Sequence, residues 1–340
     1  MAAHDTDLVV DLAGRDDELR RALEDLRMNR YSAMRDVLMK TFGDWPLRTA
    51  RSQVLAVGAG DGGAVAAWLE EEPRSADALL MWARVLTRQA VRAFRHGKSE
   101  ALLHRAADVA RDACWTAMRH WPEDPVPWVC LLDLAKLPMD LRHLDPFFRQ
   151  RPHPWGLPPE IGLFGGPWPL LHEADRRDPG NREAYHRMRE YADTRLSGSQ
   201  AMDFTRWAAS CAPHGSPLKV LPLYALVSLY QRRHPDGRHG AIAFWTTAQV
   251  KHYARKACDD WFDATPVLAG PQLSLLDLNH LAFALVTSGE TGASRVFEMI
   301  GPYATSAPWA QVSETLGRDW QSEFRRTRDS LLRRRGGHRS

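Results

Sequence analysis

The sequence lacks the features that mark a membrane-bound, secreted or disordered chain. Its 340 residues contain no long uninterrupted apolar run, so it predicts no membrane-spanning helix. Only 23 glycines and 22 prolines are present, too few for a low-complexity or collagen-like chain. The first seven residues are polar, and they do not resemble a secretory leader. We therefore expect a globular protein of the cytoplasm.

Cysteine and lysine are both scarce. The four cysteines, Cys114, Cys130, Cys211 and Cys258, form no C-x-x-C pair, which predicts buried free thiols in a reducing compartment. Most basic residues are arginine, and with abundant alanine this indicates the coding bias of a GC-rich, bacterial genome. The net charge of +3 is too small to indicate nucleic acid as a partner.

What the sequence does contain is helical periodicity. Apolar residues recur every three or four positions, as in a helix predicted over 77–96 with Trp82 on its apolar face. Gly97 ends that helix, and a second helix over 100–120 forms an antiparallel hairpin with it. The same pattern predicts further helices over 168–177, 181–196, 199–211, 217–233, 240–262, 273–288, 291–300 and 308–332. The fold class is therefore predicted as all-α, an irregular stack of antiparallel helix hairpins.

One stretch interrupts this pattern. Residues 138–167 contain seven prolines, four glycines and several aromatic side chains, so they predict a long loop or a hinge between two helical regions. The expected division is an N-terminal helical repeat region (1–137), the loop (138–167), a C-terminal helical region (168–332) and a disordered basic tail (333–340).

Prolines follow several of the predicted helices in a repeated arrangement. A small residue precedes each proline by five positions and an aromatic follows it by six: Ala117, Pro122 and Trp128, then Ala174, Pro179 and Tyr185. This arrangement resembles the tetratricopeptide-repeat family, in degenerate form over residues 50–215. Successive prolines at 73, 122, 179 and 213 are 49, 57 and 34 residues apart, and only the last spacing equals the family's period. The resemblance implies an α-solenoid whose concave groove binds a partner.

Aromatic and imidazole side chains near these turns are the candidate ligand-binding residues: Trp82, Trp128, His153, Trp155, Trp168, His172 and Tyr185. The function predicted from them is a binding or scaffold protein that recognises a peptide, a protein or a small ligand, without a cofactor. A homo-oligomer is compatible with this prediction. Packing in the core is the other explanation for these side chains.

A second hypothesis is an all-α enzyme. Asp259, Asp260 and Asp263 form a D-D-x-x-D string that resembles the Mg²⁺-binding motif of class I terpene and prenyl-chain synthases. The resemblance implies isoprenoid or other specialised metabolism, with Mg²⁺ gripping a diphosphate. The second metal-binding string of that family is absent from the sequence. A solvated acidic turn at a helix end is the alternative explanation.

Two further segments leave alternatives open. The glycine-rich residues 54–63 resemble the first loop of S-adenosylmethionine-dependent methyltransferases, which requires a strand near Val54. The alternative is a helix that ends near Gly58, a turn, and a new helix over 64–71. The arginine-rich residues 318–340 carry a net charge of +5, suited to an anionic partner or simply to the end of a helix.

Overall fold

The protein is all-α, as the sequence predicts. The structure is a computed structural model, and it describes residues 8–138, 164–234, 240–265, 273–313 and 317–336. Within these residues there are 17 α-helices and no β-sheet, and the sole extended pairing is an isolated bridge between Val9 and Tyr303. None of the described helices combines the length and the apolar character that crossing a bilayer requires.

The helices follow one another along the whole described chain. The first nine are α1 (Asp17–Arg27), α2 (Ser32–Met39), α3 (Trp45–Gly58), α4 (Gly63–Glu71), α5 (Ala76–Arg95), α6 (Glu100–His120), α7 (Val126–Leu134), α8 (Trp168–Arg177) and α9 (Arg182–Arg195). The next eight are α10 (Gly198–Cys211), α11 (Leu221–Arg233), α12 (Ala241–Trp245), α13 (Ala248–Ala257), α14 (Leu275–Ser288), α15 (Ala293–Ile300), α16 (Trp309–Ser313) and α17 (Trp320–Gly336). A 3₁₀ turn precedes α11 (Pro217–Val220) and a π turn follows α13 (Cys258–Phe262).

Short polar side chains and prolines set the helix ends. Asp44 accepts a hydrogen bond from the Leu47 amide at the start of α3, and Asn181 accepts one from the Ala184 amide at the start of α9. The helices α4, α6 and α8 each end one residue before an X-Pro pair, as predicted.

Two predicted helices are divided in the structure. The helix expected over 240–262 breaks at Thr247, whose side chain instead caps α13. The helix expected over 308–332 is split into α16 and α17, with Gly317 in a left-handed conformation between them. Helix α17 extends to Gly336, so residues 333–336, expected in a disordered tail, are helical.

The chain forms two compact units. The N-terminal unit is Asp16–Ala201, and the C-terminal unit combines Met1–Arg15 with Met202–Ser340. Helices on both sides of residues 138–167 therefore belong to one unit, which differs from the division expected at that stretch. Residues 139–163 of the expected loop lie outside the described residues.

The C-terminal unit has an apolar core built on α11, α13 and α14. Trp261, Trp309 and Phe324 are among its most deeply buried side chains, and aromatic rings pack edge to face through it. Three of the four cysteines are buried free thiols as predicted, but Cys211 is exposed because it is the last residue of α10.

Ion pairs cross the interior of the N-terminal unit. Arg84 on α5 is 6% exposed, and its two terminal nitrogens lie 2.7 and 2.6 Å from the carboxylate oxygens of Glu183 on α9. Burial opposes the charge of Glu183, yet Arg84 and Arg187 hold its pKa below its ordinary value. The ion pair therefore fixes α9 against α5 across 99 residues of sequence.

Removing one member of this pair is expected to destabilise the protein. Glu183→Gln leaves the Arg84 guanidinium buried without a counter-charge, which costs about 3 kcal/mol of unfolding free energy. Urea unfolding followed by tryptophan fluorescence measures the change. The matched control is Asp108→Asn, which removes the charge of a half-exposed carboxylate paired with Arg111 and is expected to cost less than about 1 kcal/mol. Equal effects of the two substitutions would contradict this account of the buried pair.

Candidate functional site

The predicted ligand-binding residues mostly lie inside the helical packing. Trp128, Trp168 and Tyr185 are buried, Trp82 is half-buried and His172 is exposed. His153 and Trp155 lie outside the described residues.

Three of these residues lie on successive helices: Trp128 on α7, Trp168 on α8 and Tyr185 on α9. The Arg177 guanidinium lies 4.7 Å from the ring centre of Trp128. The Trp168 indole donates a hydrogen bond of 2.7 Å to the Phe164 carbonyl, and the Tyr185 hydroxyl bonds the Asp175 carboxylate at 3.1 Å. These contacts stabilise the packing of neighbouring helices. Trp82 is not part of this group, because it lies on α5 beside the left-handed Gly62 at the start of α4.

A different set of aromatic side chains reaches solvent. We define the aromatic patch as Phe42, Trp45 and Trp121. Phe42 is 78% exposed, and its ring stacks on Trp121 with centroids 5.4 Å apart and an interplanar angle of 20°. Trp45 meets the edge of Trp121 at 5.3 Å. Offset stacking and edge contacts are favourable geometries for aromatic rings. These contacts therefore give the three rings a defined arrangement, although Phe42 is largely exposed to solvent.

The buried side chain of Arg48 packs against the Trp121 ring of the aromatic patch. Its side chain is 1% exposed, and it pairs with Asp124 at 2.5 Å and Asp77 at 2.6 Å. Burial disfavours the guanidinium charge, but these two carboxylates raise its pKa above the ordinary value. The same guanidinium lies 4.5 Å from the ring centre of Trp121. One cation therefore joins the start of α3, the start of α5 and the turn between α6 and α7.

The turn between α8 and α9 is joined to the same region. The Nε of Arg177 donates a hydrogen bond of 2.6 Å to the Pro122 carbonyl, next to Trp121. Asn181 donates to the Thr49 hydroxyl at 3.2 Å, one helical turn beyond Trp45 on α3. These contacts therefore join the start of α3, the turn before α7 and the turn between α8 and α9 within the N-terminal unit.

A group of carboxylates lies at the start of α3 and around the turn between α8 and α9. We define the acidic rim as Asp44, Asp175 and Asp178, and among the described residues none of the three forms an ion pair with a cation. Asp44 caps α3 immediately before Trp45. Asp175 accepts hydrogen bonds from the Gly180 amide and from the Tyr185 hydroxyl. Asp178 accepts one of 2.7 Å from Asn181.

Asp178 is the most perturbed member of the acidic rim. It is 6% exposed, and burial raises its pKa to about 6, with the Asn181 hydrogen bond opposing the shift and the charges of Asp175 and Asp44 adding to it. Burial is the main cause of this raised pKa, and no ion pair with a cation of the described residues opposes it. Perturbed groups of this kind concentrate at functional sites.

The aspartates of the D-D-x-x-D string do not converge on one point. The π turn Cys258–Phe262 places Asp259 and Asp263 beside the Cys258 thiol, with one ligand atom from each within 4.8 Å of the others. Asp260 is not in that group, because its carboxylate faces Lys256 at 3.1 Å and His214 at 3.9 Å.

An arginine already pairs with Asp263. Arg295 pairs with both oxygens of Asp263, at 2.5 and 3.0 Å. Burial, with the neighbouring Asp263 charge, raises the pKa of the Cys258 thiol to about 11, which opposes the thiolate form that binds metals. This geometry gives little support to a Mg²⁺ site built from Asp259, Asp260 and Asp263.

The glycine-rich segment 54–63 begins with helix where the S-adenosylmethionine-loop hypothesis requires a strand. Val54 lies within α3, which continues to Gly58, and α4 begins at Gly63. The prediction of a strand for an S-adenosylmethionine loop is therefore wrong for this segment, and the helix–turn–helix alternative is confirmed.

The aromatic patch and the acidic rim were not identified from the sequence. The helix predicted over 100–120 ends just before Trp121, and no sequence pattern singles out Phe42 or Trp45. A weak signal was present, because Phe42 and Trp45 flank a Gly-Asp helix start and Trp121 precedes Pro122. Nothing local in the sequence shows that these turns lie side by side.

Comparison with protein-family models, curated proteins and solved structures gives no significant match to this chain. The arguments for its function therefore come from the chain's own geometry.

Replacing Asp178 by Asn is expected to stabilise the protein at neutral pH. The folded-state pKa of about 6 lies above the ordinary value of 3.8, so the wild type loses stability as the pH rises through this interval. The Asn substitution keeps an oxygen acceptor for Asn181 and removes the charge. We expect a gain of about 2 kcal/mol at pH 7.5 and no gain at pH 4, from urea unfolding at both pH values.

The control for this prediction is Asp112→Asn, an exposed aspartate on α6 in the same unit. It is expected to change stability by less than about 0.5 kcal/mol at either pH. A gain from Asp178→Asn that is the same at pH 4 and pH 7.5 would show that charge is not its cause.

Proposed function

We propose that this chain is a helical-repeat-like binding protein that recognises a peptide segment of another protein at the aromatic patch. The observation that supports this proposal is the stack of Phe42 on Trp121, a large ring 78% exposed yet held in a defined orientation. Scattered apolar residues on a surface need no explanation, but ordered aromatic clusters are typical of the centres of interfaces.

The energetics favour a ligand that covers Phe42. Burying a phenylalanine side chain contributes about 1.5–3 kcal/mol, and Met39, also exposed, extends the apolar surface at the end of α2. Because Trp45, Trp121 and Arg48 already fix one another, little side-chain entropy is lost when a ligand binds.

The repeat-like part of the proposal rests on the hairpin of α5 and α6 and on the proline turns after α4, α6 and α8. These are the elements that carry the resemblance to tetratricopeptide repeats, whose hairpins present turns and helix faces to peptide ligands. Buried free thiols at Cys114, Cys130 and Cys258 suit a reducing compartment, and we propose a cytoplasmic location on that ground.

Selection from a peptide library tests the proposed function. Random 12-residue peptides are selected on the immobilised full-length chain, and a recurrent motif with an aromatic or long apolar residue is expected. Fluorescence anisotropy then measures the affinity of a synthetic peptide with that motif. Phe42→Ser is expected to weaken this affinity at least tenfold, because about 1.4 kcal/mol or more of apolar burial is lost.

The matched control is Ile242→Ser, which removes a side chain that is 82% exposed on α12. This variant should bind the selected peptide within twofold of the wild type. If no motif is enriched, or if Phe42→Ser binds the peptide as tightly as Ile242→Ser, the proposed function is wrong.

A further inference from the structure

We infer that the ligand of the aromatic patch is a basic peptide segment, with a lysine or arginine next to the apolar residue that covers Phe42. This inference rests on the proposed function and names the class of its ligand. It is carried by charge: Asp44 immediately precedes Trp45, the charges of Asp44 and Asp175 both act on Asp178, and none of the three carboxylates forms an ion pair among the described residues.

The protein's own nearby cations are already committed. Arg48 is buried between Asp77 and Asp124, and Arg177 lies 2.6 Å from Glu173. The buried cations therefore do not neutralise the acidic rim, and a ligand cation would meet a negative potential there. Electrostatic complementarity of this kind selects partners and speeds their association.

The three carboxylates have different positions relative to solvent. Asp44 is exposed at the start of α3, where a ligand guanidinium or ammonium can pair with it directly. Asp175 is half-buried, and Asp178 lies beneath the surface, where its charge is poorly screened.

The acidic rim also makes this recognition dependent on pH. The charged groups that act on Asp178 are Asp175 on α8 and Asp44 at the start of α3, while α9 contributes the uncharged Asn181. Asp178 gains its charge as the pH rises through about 6. A ligand cation stabilises the charged form of Asp178, so the affinity for the ligand is expected to increase as the pH rises through this interval. For the same reason, the bound cation is expected to lower the pKa of Asp178 in the complex.

The experiment removes the charges and keeps the hydrogen-bond acceptors. Asp44→Asn, Asp175→Asn and Asp178→Asn are combined in one variant, because asparagine retains an oxygen acceptor and is a good helix N-cap. The control variant combines Glu70→Gln, Glu100→Gln and Asp112→Asn, three exposed acids of the same unit. Both variants lose the same net charge, and thermal unfolding followed by circular dichroism checks that both are folded.

The library-selected motif is expected to contain lysine or arginine. The triple rim variant should bind the synthetic peptide at least tenfold more weakly than the control variant does. Changing the peptide's basic residues to glutamine should cause a similar loss with the wild type and no further loss with the rim variant. The wild-type affinity should also fall at least threefold between pH 7.5 and pH 5.

The outcomes separate this inference from the proposed function. A motif that depends on Phe42 but lacks basic residues, or that binds the rim and control variants equally, overturns the inference and leaves the proposed function in place. The absence of any motif overturns both. A Phe42-dependent dimer in analytical ultracentrifugation, with no peptide enriched, identifies a second copy of the chain as the occupant and likewise overturns both.

Discussion

Buried arginines hold the N-terminal unit together, and the candidate site depends on them. Arg84 joins α5 to α9, and Arg48 joins α3 to Asp77 at the start of α5 and to Asp124 before α7. A buried charge is costly unless it is paired, so each guanidinium tolerates only helix positions that bring carboxylates to it. The apolar surfaces of helices can slide against one another, but these ion pairs fix a single register.

The same constraint makes a binding surface from residues that are distant in sequence. Because Arg48 is paired on one side and lies under Trp121 on the other, the turn after α6 is fixed against the start of α3. Phe42 then stacks on the Trp121 ring, which is positioned by its contact with Arg48. An exposed aromatic side chain on a flexible loop would lose much of its binding free energy in ordering, whereas here the folding of the unit has already ordered it.

Local patterns predicted the helices well but did not predict the site. The apolar periodicity and the prolines placed α5, α6, α8 and α9 to within about two residues, because these signals act within one or two helical turns. The breaks at Thr247 and Gly317 were missed, since a threonine or a glycine alone does not end a helix. Trp128, Trp168 and Tyr185 were selected as aromatic and are buried, because composition does not distinguish a core ring from a surface ring. The acidic rim combines Asp44 with two residues more than 100 positions later in the chain. No local sequence pattern encodes the contacts that bring these segments together.

The acidic rim is the place where the structure departs from what stability alone would favour. An asparagine at position 178 would keep an oxygen acceptor for Asn181 without burying a charge, and the raised pKa of Asp178 reflects the cost of that burial. Elsewhere in the same unit, buried carboxylates such as Glu183 and Asp124 have arginine partners. A unit that pairs buried carboxylates such as Glu183 and Asp124 with arginines, and leaves Asp178 without a cationic partner near Asp44 and Asp175, has the arrangement expected when the cation belongs to a ligand.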